Sequence, residues 1–226
     1  MEIPPSHYPA TRAASLVANY INYRQGAPHR VFQPDWVTEA RREDIEESGG
    51  AKKRKYKITF PLRDILKNVG STVANCTAEI IYSLSPHIAP EISYTLDQEL
   101  NKDTLDADNA FYTKMRSLEK PLEAGKIPDD FGNMSPEMEP IRNLAQIACG
   151  YIVWQNATEE TKYNMIQVQS VQQVKREDEY LEFYYLVFFH DMVSQEIIPW
   201  KLQVLWHPEH GVEVKENSRQ PRYGST

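Results

Sequence analysis

The spacing of apolar residues changes period several times along this chain, and each change marks a helix or a strand. Ala13, Leu16, Val17, Tyr20 and Ile21 recur at i, i+3, i+4, i+7 and i+8, which predicts a helix with one apolar stripe. Pro9 suits its first turn and Gly26 its exit. Val31 to Ala40 reads as a strand interrupted by Pro34, at an edge or a bulge, and the charged stretch Arg41 to Lys55 reads as a loop. Beyond it Tyr56, Ile58 and Phe60 alternate with polar neighbours, then Cys76, Ala78, Ile80 and Tyr82, then Ile92, Tyr94 and Leu96. Period 2 makes each of these a strand with a single buried face.

The pattern then changes. Asp97 to Asp108 is a polar connection, and Phe111, Met115 and Leu118 form one face of a short helix that Pro121 ends. Lys126 to Met134, with Pro128 and Gly132, reads as a loop. Ser135-Pro136-Glu137 predicts a helix start, with a capping hydroxyl, a proline in the first turn and a carboxylate near the positive end of the dipole. Ile141, Leu144, Ala145, Ala148 and Ile152 continue it, and Ile147, Tyr151 and Trp154 widen the stripe until the helix must be a core element. A strand follows from Met165 to Val174. The aromatic run Tyr180 to Phe189 and the alternating Trp200, Leu202, Val204 and Trp206 then flank the short polar segment His190 to Glu196. Two such runs predict an antiparallel hairpin whose loop is held out by stiff arms. A weak final strand holds Val212 and Val214.

The second half repeats the first. Ala18 to Tyr23 can be laid on Cys149 to Trp154, Val37 to Asp44 on Val171 to Asp178, and Ile80 to Tyr82 on Val204 to Trp206. Three matches in the same order, on the same element types, point to duplication. In each unit an apolar sheet face needs a cover, and an apolar helix stripe supplies it. The expected fold is α+β, one helix on a curved antiparallel sheet used twice, over residues 1–97 and 121–226 with a short helix in the connection at 98–120, an arrangement that resembles two cystatin-like subdomains joined by a helical linker.

Composition narrows the function. The chain has 226 residues and a formal charge of -7, which argues against a general nucleic-acid binder. The N-terminus lacks the basic start and apolar core of a secretory signal, and no run approaches the roughly 20 apolar residues of a membrane span, so a cytoplasmic protein is expected. Cys76 and Cys149 are the only cysteines and read as small buried hydrophobes. Without a C-x-x-C pair, a G-x-S-x-G elbow or a glycine-rich phosphate loop, catalysis has no candidate, and no enzyme, cofactor or metal is expected. His207-Pro208-Glu209-His210 reads as a surface turn, because Pro208 prevents the helical spacing of zinc-hydrolase motifs. Lys52, Lys53, Arg54, Lys55 and Lys57 form the one candidate patch for heparin-like polyanions, set against a solvated loop beside an edge strand.

Several segments carry a resemblance. Met1-Glu2-Ile3-Pro4-Pro5 with Tyr8-Pro9-Ala10, Ile127 to Asn133 with Ser135 to Met138, Ala148 to Ile152, and Ser194 to Trp200 with Gln203 to Pro208 resemble the latexin family, from the first residue to about Ser218. The resemblance implies a monomeric inhibitor of zinc metallocarboxypeptidases of the A/B type, the zinc being the enzyme's. It places the inhibitory contacts at His190, Asp191, Ser194, Gln195 and Glu196, Gln195 deepest, with Met192 and Val193 as apolar rim. An uncharged amide suits a funnel built for peptides, because it hydrogen-bonds without the desolvation cost of a carboxylate. The cystatin arrangement also raises inhibition of papain-like proteases through a Q-x-V-x-G bend. Gln173-Val174-Lys175-Arg176-Glu177 departs from that pattern in spacing and lacks its glycine. Two alternatives remain, a non-inhibitory scaffold acting through the Lys52 to Lys57 patch, and a flexible Asn217 to Thr226 tail that enters the funnel as a C-terminus.

Overall fold

A computed structural model describes residues 1–67 and 71–222. The first half contains α1 (Tyr8–Gln25), β1 (Phe32–Pro34), β2 (Glu39–Glu46), β3 (Lys52–Asp64), β4 (Thr72–Ser83) and β5 (Glu91–Leu96). After α2 (Leu105–Ser117) and β6 (Glu123–Ile127), a 3-10 turn at Pro136–Met138 leads into α3 (Glu139–Asn156). The strands β7 (Tyr163–Val174), β8 (Leu181–Asp191), β9 (Ile197–His207) and β10 (Gly211–Arg219) complete the chain. All strand pairs are antiparallel. One sheet runs β3-β4-β5, with β1 and β2 both on the free side of β3, and the other runs β10-β9-β8-β7-β6.

The two halves are two subdomains of one design, a helix followed by a four-strand meander, which is a duplicated cystatin-like fold. In each, the alternating strand positions face the helix. Tyr56, Ile58, Phe60, Cys76, Ala78 and Ile80 are buried in the first, and Phe183, Tyr185, Val187, Leu202, Val204 and Trp206 in the second. The helices also pack on each other, so the layers run sheet, helix, helix, sheet, around one continuous core. Gly150 permits that approach, since a Cβ there would lie 2.1 Å from the Asn19 carbonyl oxygen. Tyr20 meets Trp154 at 5.0 Å and Tyr23 meets Tyr151 at 5.2 Å between ring centroids. Further ties cross between the halves: Asn143 donates to the Pro28 carbonyl at 2.8 Å, Trp154 to the Pro90 carbonyl at 2.8 Å, and Arg54 pairs with Glu159 at 2.9 Å.

Five expectations need correction. Val31 to Ala40 is two strands, because the chain turns after Pro34 and re-enters the same edge of β3 at Glu39. Arg41 to Lys55 is mostly a charged hairpin in which Glu43 faces Lys55, Asp44 faces Arg54 and Glu46 faces Lys52 across β2 and β3. Opposite charges replace the missing apolar face. Lys126 and Ile127 belong to the edge strand β6, of which only Ile127 is buried. Of the expected flexible tail Asn217 to Thr226, Asn217 to Arg219 are instead the end of β10, paired with Leu202 to Trp200, and residues 223–226 lie outside the described residues. At the start of α3, Ser135 makes no side-chain cap; its carbonyl accepts from Met138 N at 3.0 Å, and that bond closes the 3-10 turn.

Candidate functional site

The β8–β9 hairpin is carried by two interior strands of the second sheet. Its arms pair from Leu181 with Trp206 to His190 with Ile197, and they are flanked by β7 and β10. The Tyr185 hydroxyl donates to the Ile141 carbonyl of α3 at 2.9 Å, and the Trp200 indole donates to Asn217 Oδ1 at 3.0 Å. A turn carried by such arms inherits their rigidity.

The turn itself is braced by one carboxylate. Asp191 is 6 % exposed, and its Oδ1 accepts from Val193 N at 3.1 Å and from Lys162 N at 3.2 Å, while Oδ2 accepts from the Ser194 hydroxyl at 2.8 Å. Burial pushes this carboxyl upward, but the hydrogen bonds from Val193, Ser194 and Lys162 outweigh it and hold it below the usual carboxylate range. Backbone bonds complete the brace, from Gln195 N to Asp191 O at 2.8 Å, Asp191 N to Glu196 O at 2.9 Å and Met192 N to Lys162 O at 2.8 Å. Gln195 sits in the left-handed region at φ 63°, and its side-chain amide donates to the Met192 carbonyl at 2.8 Å. Arg219 at 2.9 Å and Arg222 both bind Glu196 Oε1, which fastens the end of β10 and the residues just after it to the base of the turn.

The seven candidate contact residues therefore divide. Met192, Val193, Ser194 and Gln195 face solvent, with Met192 44 % and Val193 46 % exposed. His190 is half-buried within β8, between Asn164 and Ile197. The buried carboxylate of Asp191 and the half-buried one of Glu196 are both taken up by groups of the protein itself, and they shape the turn for the others.

One exposed residue at the same end of the sheet as this turn escaped the sequence reading. The loop after β6 leaves the sheet at the same end as the hairpin, since Tyr163 of β7 faces Asp191 and Gln167 donates to the Pro128 carbonyl at 2.8 Å. Asp129 Oδ1 accepts from Phe131 N at 2.9 Å and Asn133 N at 2.8 Å, and Gly132 takes φ 82°. The tight loop thus presents Phe131 with 90 % of its surface in water. Periodicity cannot find such a residue, although the Asp-x-x-Gly-Asn run signals the turn that carries it.

Other candidates are absorbed by the fold. Lys53, Lys55 and Lys57 alternate with Lys52 and Arg54, so the basic run is split between two sheet faces. Lys53 pairs with Glu47 at 2.8 Å, Lys55 with Glu79 at 3.2 Å, and Arg54 with Asp44 at 2.7 Å. Gln173 is buried, accepting from Leu122 N at 3.1 Å and donating to Met115 O at 3.0 Å, so the bend lacks a free glutamine. Cys76 and Cys149 are buried and unbonded to each other; burial pushes the Cys76 thiol up to about 12 and Cys149 higher still. Among the described residues no helix is long and apolar enough to cross a membrane.

Comparison with known proteins agrees with this architecture over its whole length. The family model for latexin matches residues 3–224. The chain is 48% identical to latexin of Mus musculus over 225 residues, 99% of each chain. It is 49% identical to latexin of Homo sapiens over 223 residues, 98% of each. Retinoic acid receptor responder protein 1 of Homo sapiens is 27% identical, covering 92% of this chain and 71% of that protein.

Proposed function

The chain belongs to the latexin family, and on that premise we propose that it is a non-catalytic inhibitor of zinc metallocarboxypeptidases of the A/B type. It acts as a monomer in the cytoplasm, has no cofactor of its own, and works by standing the Met192–Glu196 turn in the mouth of the enzyme's funnel. The observation that carries the reading is the braced turn. A free carboxyl terminus is what such a funnel accepts, so a folded protein must block it with something narrow and already ordered. The turn is ordered by the inward Asp191 carboxylate, and it offers Gln195, Ser194, Met192 and Val193 outward. Phe131, at the same end of the sheet, serves as a second apolar contact on the rim of the funnel.

Gln195 is the residue that enters furthest. Its amide holds the Met192 carbonyl in the free protein, a bond it can exchange for one to the enzyme without leaving a charge behind. The test is a titration into carboxypeptidase A with a small C-terminal substrate, run beside one into papain. Stoichiometric loss of carboxypeptidase activity alone is expected. Papain inhibition alone, or no effect on either enzyme, refutes the proposal.

A further inference from the structure

At the opposite end of the second sheet from the hairpin turn, three potential ligands come together from three segments. Glu179 lies in the connection between β7 and β8, His207 ends β9, and His210 lies in the turn to β10. One donor atom from each lies within 4.8 Å of the other two, and Glu179 Oε1 stands 3.6 Å from His210 Nε2. The two imidazoles stack with centroids 4.6 Å apart at 27°. Tyr180 lies 5.7 Å from His207 and 6.0 Å from His210, and Tyr112 of α2 lies 5.3 Å from His207, so aromatic rings flank the cluster. The backbone that carries Glu179 is held as well, since the Tyr112 hydroxyl donates to its carbonyl and Arg116 donates to the carbonyls of Asp178 at 2.7 Å and Tyr180 at 3.2 Å.

We propose that Glu179, His207 and His210 form a binding site for a divalent cation of the zinc type. Two imidazoles and one carboxylate are a donor set that zinc takes while keeping a fourth position for water. Hard cations such as calcium, which prefer an all-oxygen shell, are disfavoured by it. Tetrahedral bonds of about 2.0–2.1 Å place donors roughly 3.3 Å apart. The Glu179–His210 pair is close to that spacing, and the exposed side chains of Glu179 and His210 can make up the remainder by rotation toward the half-buried His207. One nitrogen of His207 already acts as an acceptor: Glu209 N donates to its Nδ1 at 3.1 Å, so that atom presents a lone pair. A cation bound there replaces a short-range turn hydrogen bond with a stronger ligand bond. Pro208 does not interfere, because the third ligand comes from a neighbouring loop and no helix is required.

Such an ion would clip the β7–β8 connection to the β9–β10 turn, remote from the inhibitory turn. The proposal therefore does not rest on the inhibitor reading. Untagged full-length protein, stripped with chelator, is titrated with zinc chloride by calorimetry and with cobalt(II) by visible absorption. One equivalent per chain is expected, together with a rise in Tm on zinc addition. His210→Ala and Glu179→Gln should each weaken zinc binding at least tenfold with the apo Tm retained, and His87→Ala should not change it. Absence of saturable binding overturns the proposal, as does binding that survives unchanged in the His210→Ala Glu179→Gln double variant.

Discussion

Replacing Asp191 by alanine removes the brace of the hairpin turn while leaving its exposed residues in place. The carboxylate accepts hydrogen bonds from Val193 N, Lys162 N and the Ser194 hydroxyl. Bonds to a charged acceptor are each worth about 1.5–3 kcal/mol, but deletion also removes the cost of burying the charge, and water can reach a turn at the surface. The net loss is about 2 to 3 kcal/mol of turn order, which binding must restore, so Ki should rise roughly 30- to 150-fold. Asp191→Asn keeps one acceptor oxygen and should lose about 1 kcal/mol, roughly fivefold in Ki. Ki is measured against carboxypeptidase A, and amide exchange at Val193 and Gln195 reports turn order independently. Unchanged Ki in Asp191→Ala, or a loss matched by global unfolding, refutes the argument. The pH dependence has a definite sign. Because the folded pKa lies below the unfolded value near 3.9, the brace is fully present above that value and is lost as pH falls through the folded pKa.

Three further outcomes follow from the same structure. Gln195→Ala and Gln195→Gly should both weaken inhibition roughly tenfold by removing the amide, and only glycine relieves the left-handed backbone, so its turn should show slower amide exchange than the alanine variant's. A full-strength inhibitor carrying either change would remove Gln195 from the mechanism. Phe131→Ala should cost about 1–2 kcal/mol of affinity, mostly as faster dissociation, with stability within about 0.5 kcal/mol of the parent, and surface plasmon resonance beside thermal melting checks both. Gly150→Ala forces a methyl toward the Asn19 carbonyl and should destabilise by about 3 kcal/mol in urea unfolding; an unchanged midpoint would mean that the helices can part without cost.

Elements with one apolar face were legible from spacing alone, because burial selects every second or every third and fourth residue. Cys76, Ala78, Ile80 and Tyr82 are all buried, and so are Ile141, Leu144, Ala145, Ala148 and Ile152. The polar edge strands β2 and β6 were not legible, whereas the edge strands β5 and β10 were, through Ile92, Tyr94 and Leu96 and through Val212 and Val214. β2 has one buried residue, Ala40, and its order comes from charges facing it across β3. β6 carries Gly125, where a Cβ would meet the Gln169 carbonyl oxygen at 2.8 Å, a requirement that only the paired strand reveals. The hairpin turn was placed correctly as a segment, but nothing in Asp191-Met192-Val193-Ser194 tells which polar group faces inward. That depends on Lys162, 29 residues earlier, whose amide comes within reach only when β7 pairs with β8. Glu179 joined His207 and His210 for the same reason, through strand pairing and not through local sequence.

The crossing of α1 and α3 carries a record of how such a molecule can be assembled. Tyr20 and Tyr151 are equivalent positions of the repeat, and so are Tyr23 and Trp154. Tyr20 touches Trp154 while Tyr23 touches Tyr151, so each contact is the image of the other under a half-turn. Asn19 and Gly150, also equivalent, meet at the centre of that exchange. This is the signature of an isologous interface, in which one patch recognises its own copy. A single repeat presenting this helix face would find its complement in a second identical chain, and the segment through α2 makes the partnership permanent. Once the two copies share a chain, the symmetry constrains only the seam, which leaves the second copy's hairpin free to specialise.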